Sequence, residues 1–285
     1  MQKITKIKSK LGLILLLCLC GCSAVQKVGE VIGDKELVKA SSEMTPQQEY
    51  YLGRSIAAQI LSENKMVVSG PVSDYLNLLG QYLVLHSPRS ETFNGYRFAV
   101  VSSDVPTALS APGGYIFLSS ALVKVLESED ELAAVLAHEI SHIGLKHANA
   151  SIQKKNAMKS ISKYGAMIVA VVSNGAIEQD GGEAFSQLIG NLVNIKYDKT
   201  QEIDADLGGV SILTDSGYDS HALLTFLNRL KPDAGLLSRH PRSEERLKRI
   251  KAAIGKSSVA GTISERQMRF VKWKTQVLTA PAPKS

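Results

Sequence analysis

Apolar and polar positions along the chain predict helices over most of its length and strands in one short region. From residue 46 onward Leu52, Ile56, Ile60 and Leu61 recur at helical spacing. Thr45 suits the N-cap of this helix, and Pro46 suits its first position, where a missing N–H costs nothing. Gly70-Pro71 interrupts the pattern and starts a second helix over about 71–86. Tyr96 to Val101 reads as a strand, and a polar, proline-containing loop follows. Pro112-Gly113-Gly114 then leads into a second strand, Tyr115-Ile116-Phe117-Leu118, and a short helix over about 119–127.

Ser128 and Glu131 have the spacing of a capping box, and acids at 129, 130 and 131 suit the positive end of a helix dipole. A helix is therefore expected from here to about Ala150. Another apolar helix is expected at 157–172; its run Ala166 to Val172 is too short to span a bilayer. Asp180-Gly181-Gly182 reads as a turn. Helical pattern resumes over 183–216, with a break near 197, and again at 219–230 and 242–254. Helix dominates and the strands cluster ahead of the capping-box helix, so the expected class is α+β, mostly α-helical.

The charge of +6 suggests an anionic partner until its position is considered. Lys3, Lys6, Lys8 and Lys10 precede the apolar run Leu11 to Leu19, as in a secretory signal, and removing residues 1–21 leaves a charge of +2. A nucleic-acid role then loses its main support. The run ends in Leu19-Cys20-Gly21-Cys22, which resembles the bacterial lipobox; residues 1–21 are the expected lipoprotein signal peptide, Cys22 the lipidated residue and 22–45 a tether. All three cysteines lie in or beside the signal, which excludes a disulfide or a cysteine metal site in the mature domain. Multiple acyl chains on Cys22 anchor stably. By the sorting rule of Gram-negative lipoproteins, Ser23 points to the outer membrane, with the domain on its periplasmic face.

The capping-box helix carries His138-Glu139-Ile140-Ser141-His142. Histidines four residues apart share one helix face, so both imidazoles can reach one zinc ion at about 2.0–2.1 Å. Glu139 projects toward the same cavity, where it can take a proton from water acidified by the metal. A catalytic zinc needs a third protein ligand. His147 comes five residues after His142, over which the helix turns well away from the zinc face, so it reads as a polar residue near the helix end, where a cation suits the dipole. Glu202 is the better candidate. Asp206, one turn further on the same predicted helix, can orient a zinc-bound histidine.

His138-Glu139-x-x-His142 followed by Glu202-x-x-x-Asp206 resembles the gluzincin zinc metallopeptidases of the HtpX, BepA and CAAX-prenyl-protease type. Pro112-Gly113-Gly114-Tyr115-Ile116 is similar to that family's strand before the active helix, and His240-Pro241 with Arg246 is similar to its His-Pro segment. The likeness covers about residues 46–256 and looks like the periplasmic lipoprotein members, with no tetratricopeptide region after the domain. The resemblance implies a zincin-like metallopeptidase domain holding one Zn2+ through His138, His142 and Glu202. It implies Glu139 as general base and Asp206 as support behind a ligand. Gly114, Tyr115, Ile116 and Phe117 would form an edge strand that pairs with extended substrate. His240 and Arg246 would lie at the cleft as further catalytic residues, with His240 either stabilising the oxyanion or blocking the metal in a resting state. The implied activity is endopeptidase cleavage of misfolded or misassembled envelope proteins. The alternative is a zinc-bound chaperone or assembly factor for outer-membrane proteins with little proteolysis.

Residues 257–285 form an expected C-terminal extension with a disordered end. Within it Arg269 to Lys274 interleaves bases with aromatics; a strand or helix edge is preferred there to a lipid contact. His86 and His221 have no evident partner in the sequence.

Overall fold

The computed structural model of the protein describes residues 44–67, 70–154, 189–231, 235–254 and 263–280. The expected signal peptide, the tether up to residue 43 with Cys22, the 157–172 helix, the turn at 180–182 and the last five residues lie outside the described residues. Among the described residues no helix is long and apolar enough to cross a membrane.

Helix α1 spans Pro46–Glu63 and begins as expected: Thr45 Oγ1 accepts from Gln48 N, and the Gln48 side chain accepts from Thr45 N. Helix α2 is Gly70–Leu85. The sheet follows, with β1 at Arg97–Val101, β2 at Ala108–Ala111 and β3 at Tyr115–Ser119. Strand β2 falls in the stretch expected to be loop, because Ala-Leu-Ser-Ala shows neither alternation nor β-branched residues. Between β2 and β3 the chain reverses through Pro112–Gly114, where Gly113 has φ 74° and Gly114 φ 102°, a region that L side chains rarely adopt.

The strand order β1-β3-β2 corrects one expectation. Strand β3 pairs parallel with β1 (Phe98 opposite Ile116) and antiparallel with β2 (Leu109 opposite Phe117). Gly114 to Phe117 thus lead into and form the central strand, whose backbone groups are taken on both sides, and they offer no free edge. The outer side of β1 is also engaged. The Asn77 side chain of α2 donates to Phe98 O and accepts from Phe98 N, and Met66 bridges Val101. Among the described residues β2 pairs with β3 alone.

After α3 (Ser120–Val125) comes the hub of the molecule, α4 (Glu129–Gly144). Its N-cap is half as expected: Ser128 Oγ accepts from Glu131 N, whereas the Glu131 carboxylate accepts from Glu127 N instead of Ser128 N. Leu132, Leu136 and Ile140 are fully buried, each stabilising the fold by about 1.5–3 kcal/mol. A helix covered on every side is a core element. It is flanked by α2, β2 and α6 (Lys199–Asp215) and by α7 (His221–Arg229). The α4–α6 approach is close at Gly208, where a Cβ would lie 2.7 Å from Ser141 Oγ.

Helix α4 does not run on to Ala150. It stops at Gly144, and α5 (His147–Lys154) starts after Lys146, which has φ 54°. Among the described residues Lys146 is the one non-glycine residue with positive φ, a conformation that costs about 1–2 kcal/mol. Buried Glu49 of α1 compensates: its carboxylate lies 3.3 Å from Lys146 Nζ and accepts from Asn149 Nδ2 at 2.8 Å and from Arg89 Nη2 at 2.6 Å. Helices α8 (Gly235–Arg239) and α9 (Glu244–Ile254) complete the site side. Helix α10 (Ile263–Thr279) lies beyond residue 256 yet packs in the same core through Phe270, Trp273 and Val277. The basic-aromatic stretch is thus helix, with its aromatics inward and Arg269 paired to buried Glu129.

Candidate metal centre

The C-terminal half of α4 supplies His138, Glu139 and, in its last turn, His142; the first turn of α6 supplies Glu202, and the end of α8 leads into His240. All five are buried. One ligand atom each from His138, His142, Glu202 and His240 lie within 4.8 Å of one another, a group that could hold a metal ion. His142 Nε2 is 3.0 Å from His138 Nε2 and 3.6 Å from Glu202 Oε1. His240 Nδ1 is 3.2 Å from His138 Nε2 and 3.0 Å from Glu202 Oε1. Ligands of a tetrahedral zinc at about 2.0–2.1 Å stand roughly 3.3–3.4 Å apart. Three imidazoles and a carboxylate spaced in this way suit such a cation in size and in chemistry.

The surroundings fix these side chains. Asp206, one turn beyond Glu202, is wholly buried and lies 3.0 Å from His138 Nδ1. Arg246 of α9, also buried, binds Asp206 through Nε and Nη2 at 2.7 and 2.8 Å, and its Nη1 is 2.9 Å from Glu202 Oε2. Arg246 therefore stands behind the cluster and braces two carboxylates. Burial alone would raise Glu202, but the His240 contact and the charges of His138 and Arg246 hold it below the usual carboxylate range. Asp206 is likewise lowered against burial, by Arg246 and His138. Burial, together with the neighbouring His138 and His240, drives His142 well below the usual imidazole range, which favours the neutral form that ligates metals.

Glu139 has one oxygen 3.3 Å from His240 Nε2 and the other buried without a protein partner. The cleft it faces is lined also by Leu109 and Ser110 of β2, by Val193 and Tyr197, and by Arg239. The Tyr197 ring stacks on His142 with centroids 4.0 Å apart. A second cavity, more apolar, adjoins His138 and Glu139 and is lined by Val135, Leu223, Phe226 and Leu236.

Of the residues singled out in the sequence, His138, Glu139, His142, Glu202, Asp206, His240 and Arg246 come together here. The Gly114–Phe117 stretch does not line this cleft. Leu109 and Ser110 stand there instead, and nothing in their local sequence marks them. Tyr197 stands at the expected helix break, where no motif in the sequence points to the site.

The family model for peptidase family M48 matches residues 81–254. The chain is 30% identical over 223 residues to the beta-barrel assembly-enhancing protease of Escherichia coli O157:H7, covering 73% of this chain and 44% of that relative. It is 24% identical over 173 residues to the mitochondrial metalloendopeptidase OMA1 of Schizosaccharomyces pombe, covering 58% of this chain and 49% of that relative. With the metalloprotease LoiP of Escherichia coli K12 it shares 24% identity over 149 residues, 50% of this chain and 57% of the relative. The chain thus spans about half the length of these relatives.

Proposed function

The chain belongs to peptidase family M48, and from that premise we propose that it is a zinc-dependent endopeptidase that hydrolyses peptide bonds of misfolded or misassembled envelope proteins. The observation that carries this reading is the buried convergence of His138, His142 and Glu202 beside Glu139.

His138, His142 and Glu202 hold one zinc ion per chain, with Asp206 behind His138 and Arg246 behind Glu202 and Asp206. When bound, the ion supplies a Lewis acid for the scissile carbonyl and lowers the pKa of water. Glu139 takes the proton of the attacking water through its unpartnered oxygen and returns it to the leaving amine. His240 fills the fourth corner of the cluster and its Nε2 lies beside Glu139, which supports the resting-state block over the oxyanion role. It must swing away before a substrate carbonyl enters. Extended substrate pairs with β2 rather than β3, since β2 borders the cleft and has one side unpaired among the described residues.

The substrate class draws on the printed name of the Escherichia coli relative and on the lipobox-like ending at Cys22. Both support a protein tethered by lipid to the periplasmic face of the outer membrane, working near envelope assembly machinery. The test is Glu139→Gln. It should keep stoichiometric zinc while cleavage of an unfolded outer-membrane protein falls about 10²–10⁴-fold. Full biological activity of that variant would replace the peptidase with a zinc-bound assembly factor.

A further inference from the structure

His147 has no part in the mechanism above, and a continuous helix would carry it away from the metal face. The break after Gly144 changes its direction. Left-handed backbone at Lys146 ends one helix and restarts the next at His147, so the buried His147 ring returns toward His142. His142 Nδ1 and His147 Nδ1 are 2.8 Å apart. We propose that His147 is the positioning residue of His142: its Nδ1 accepts the His142 Nδ1 proton and so fixes the tautomer and ring plane that aim His142 Nε2 into the ligand cluster. The inference rests on the metallopeptidase reading and adds a residue to it.

The hydrogen-bond logic is forced by the cluster. His142 Nε2 is the atom 3.0 Å from His138 Nε2 and 3.6 Å from Glu202 Oε1, so it must present a lone pair to a metal. The proton of the neutral ring is then on Nδ1, and the atom it faces is His147 Nδ1, which must accept. A ligating histidine needs such a partner, commonly a carboxylate or a carbonyl oxygen. At His138 the Asp206 carboxylate lies 3.0 Å from Nδ1; at His142 the facing group is a second imidazole.

His147 is itself held on two sides. Gln201, the residue before Glu202, donates from Nε2 to His147 O at 3.0 Å, and its Oε1 accepts from Ser151 Oγ and Asp198 N. Glu49 pins the chain on both sides of His147, through Lys146 before and Asn149 after. Tyr197 stacks on the His142 ring and restricts its rotation about the shared hydrogen bond. The first turn of α6 thus supplies one ligand directly and supports a second through His147.

The test uses the full chain, stripped of metal and titrated with zinc against a chromogenic chelator. Asn places Oδ1 where His147 has Nδ1, whereas Gln places its amide further out. The expectation is a 10–100-fold loss of zinc affinity for His147→Ala and for His147→Gln, with near-normal affinity for His147→Asn. The visible spectrum of the cobalt-substituted protein should shift in the Ala and Gln variants and stay unchanged for Asn. A merely structural His147 predicts no Asn–Gln contrast; equal losses in the two, or normal zinc affinity in His147→Ala, overturn the proposal. If His147→Ala does not fold, the Asn–Gln comparison still decides. Failure of the wild-type chain to bind zinc overturns the metallopeptidase reading and this inference together. Zinc binding without cleavage overturns only the former.

Discussion

Arg246 grips Asp206 through two parallel hydrogen bonds, Nε to Oδ2 at 2.7 Å and Nη2 to Oδ1 at 2.8 Å, in a pocket that leaves both residues almost without solvent. Its third nitrogen lies 2.9 Å from Glu202 Oε2. Arg246→Met removes the guanidinium that faces two buried carboxylates, Asp206 and Glu202. The cost should be about 3–5 kcal/mol, read as a lower denaturation midpoint. Arg246→Lys should recover only part of it, because an ammonium cannot make the paired contact. A midpoint unchanged in Arg246→Met would show that the carboxylates find other partners.

His240 fills the fourth corner of the ligand group and leans on Glu139. His240→Ala should open that corner, raising kcat/KM severalfold on an unfolded substrate and weakening zinc binding modestly. Unchanged peptidase kinetics would remove His240 from the mechanism.

Metal removal should be visible in stability as well as in activity. Zinc at a hundredfold excess over its Kd adds about 2.7 kcal/mol to a protein that binds it only when folded. For a domain of this size that is a rise of about 5–10 °C in Tm. A thermal scan with and without chelator reads it, and coincident curves would deny a metal site formed by folding.

Gly208 lies where α6 crosses α4, with room for no side chain beside Ser141. Gly208→Ala should destabilise by about 1–3 kcal/mol and loosen the metal ligands on both helices. Combining it with Ser141→Gly should give back part of the loss, and a double-mutant cycle measures that coupling. Strict additivity would place the strain elsewhere.

Trp273 of α10 is buried, donates from Nε1 to Val72 O at 3.1 Å and packs on Tyr75. Although the matched family region ends at 254, Trp273→Ala should cost about 3–5 kcal/mol in chemical denaturation. A negligible cost would make α10 an appendage.

The features legible in the sequence were those set by local rules. Thr45 and Ser128 announce helix starts because a cap acts within three residues. His138, Glu139 and His142 are readable because helix periodicity alone puts them together. Glu202 and Asp206 needed one further argument, the third ligand that a zinc requires. What escaped was determined at long range. The bend that brings His147 back depends on Glu49, about a hundred residues earlier, holding a turn that Lys146 would otherwise avoid. The placement of β3 in the centre of the sheet depends on β2, whose four residues carry no strand pattern and form a strand only because β3 and the buried face of α4 lie against them. The resemblance puts Arg246 near the cleft through its place after His-Pro, but only three-dimensional packing reveals that it faces Asp206 rather than solvent.

The Asn77 amide that closes the outer side of β1 has a consequence for how this molecule meets other chains. It satisfies Phe98 with the same donor and acceptor that a neighbouring strand would use. Among the described residues this leaves β2 as the side on which the sheet can grow, next to the cleft that Glu139 lines. If substrate pairs with β2 as proposed, a neighbour recruited by its own exposed backbone would take the same place, and strand-mediated self-association would inhibit the protein in the same step.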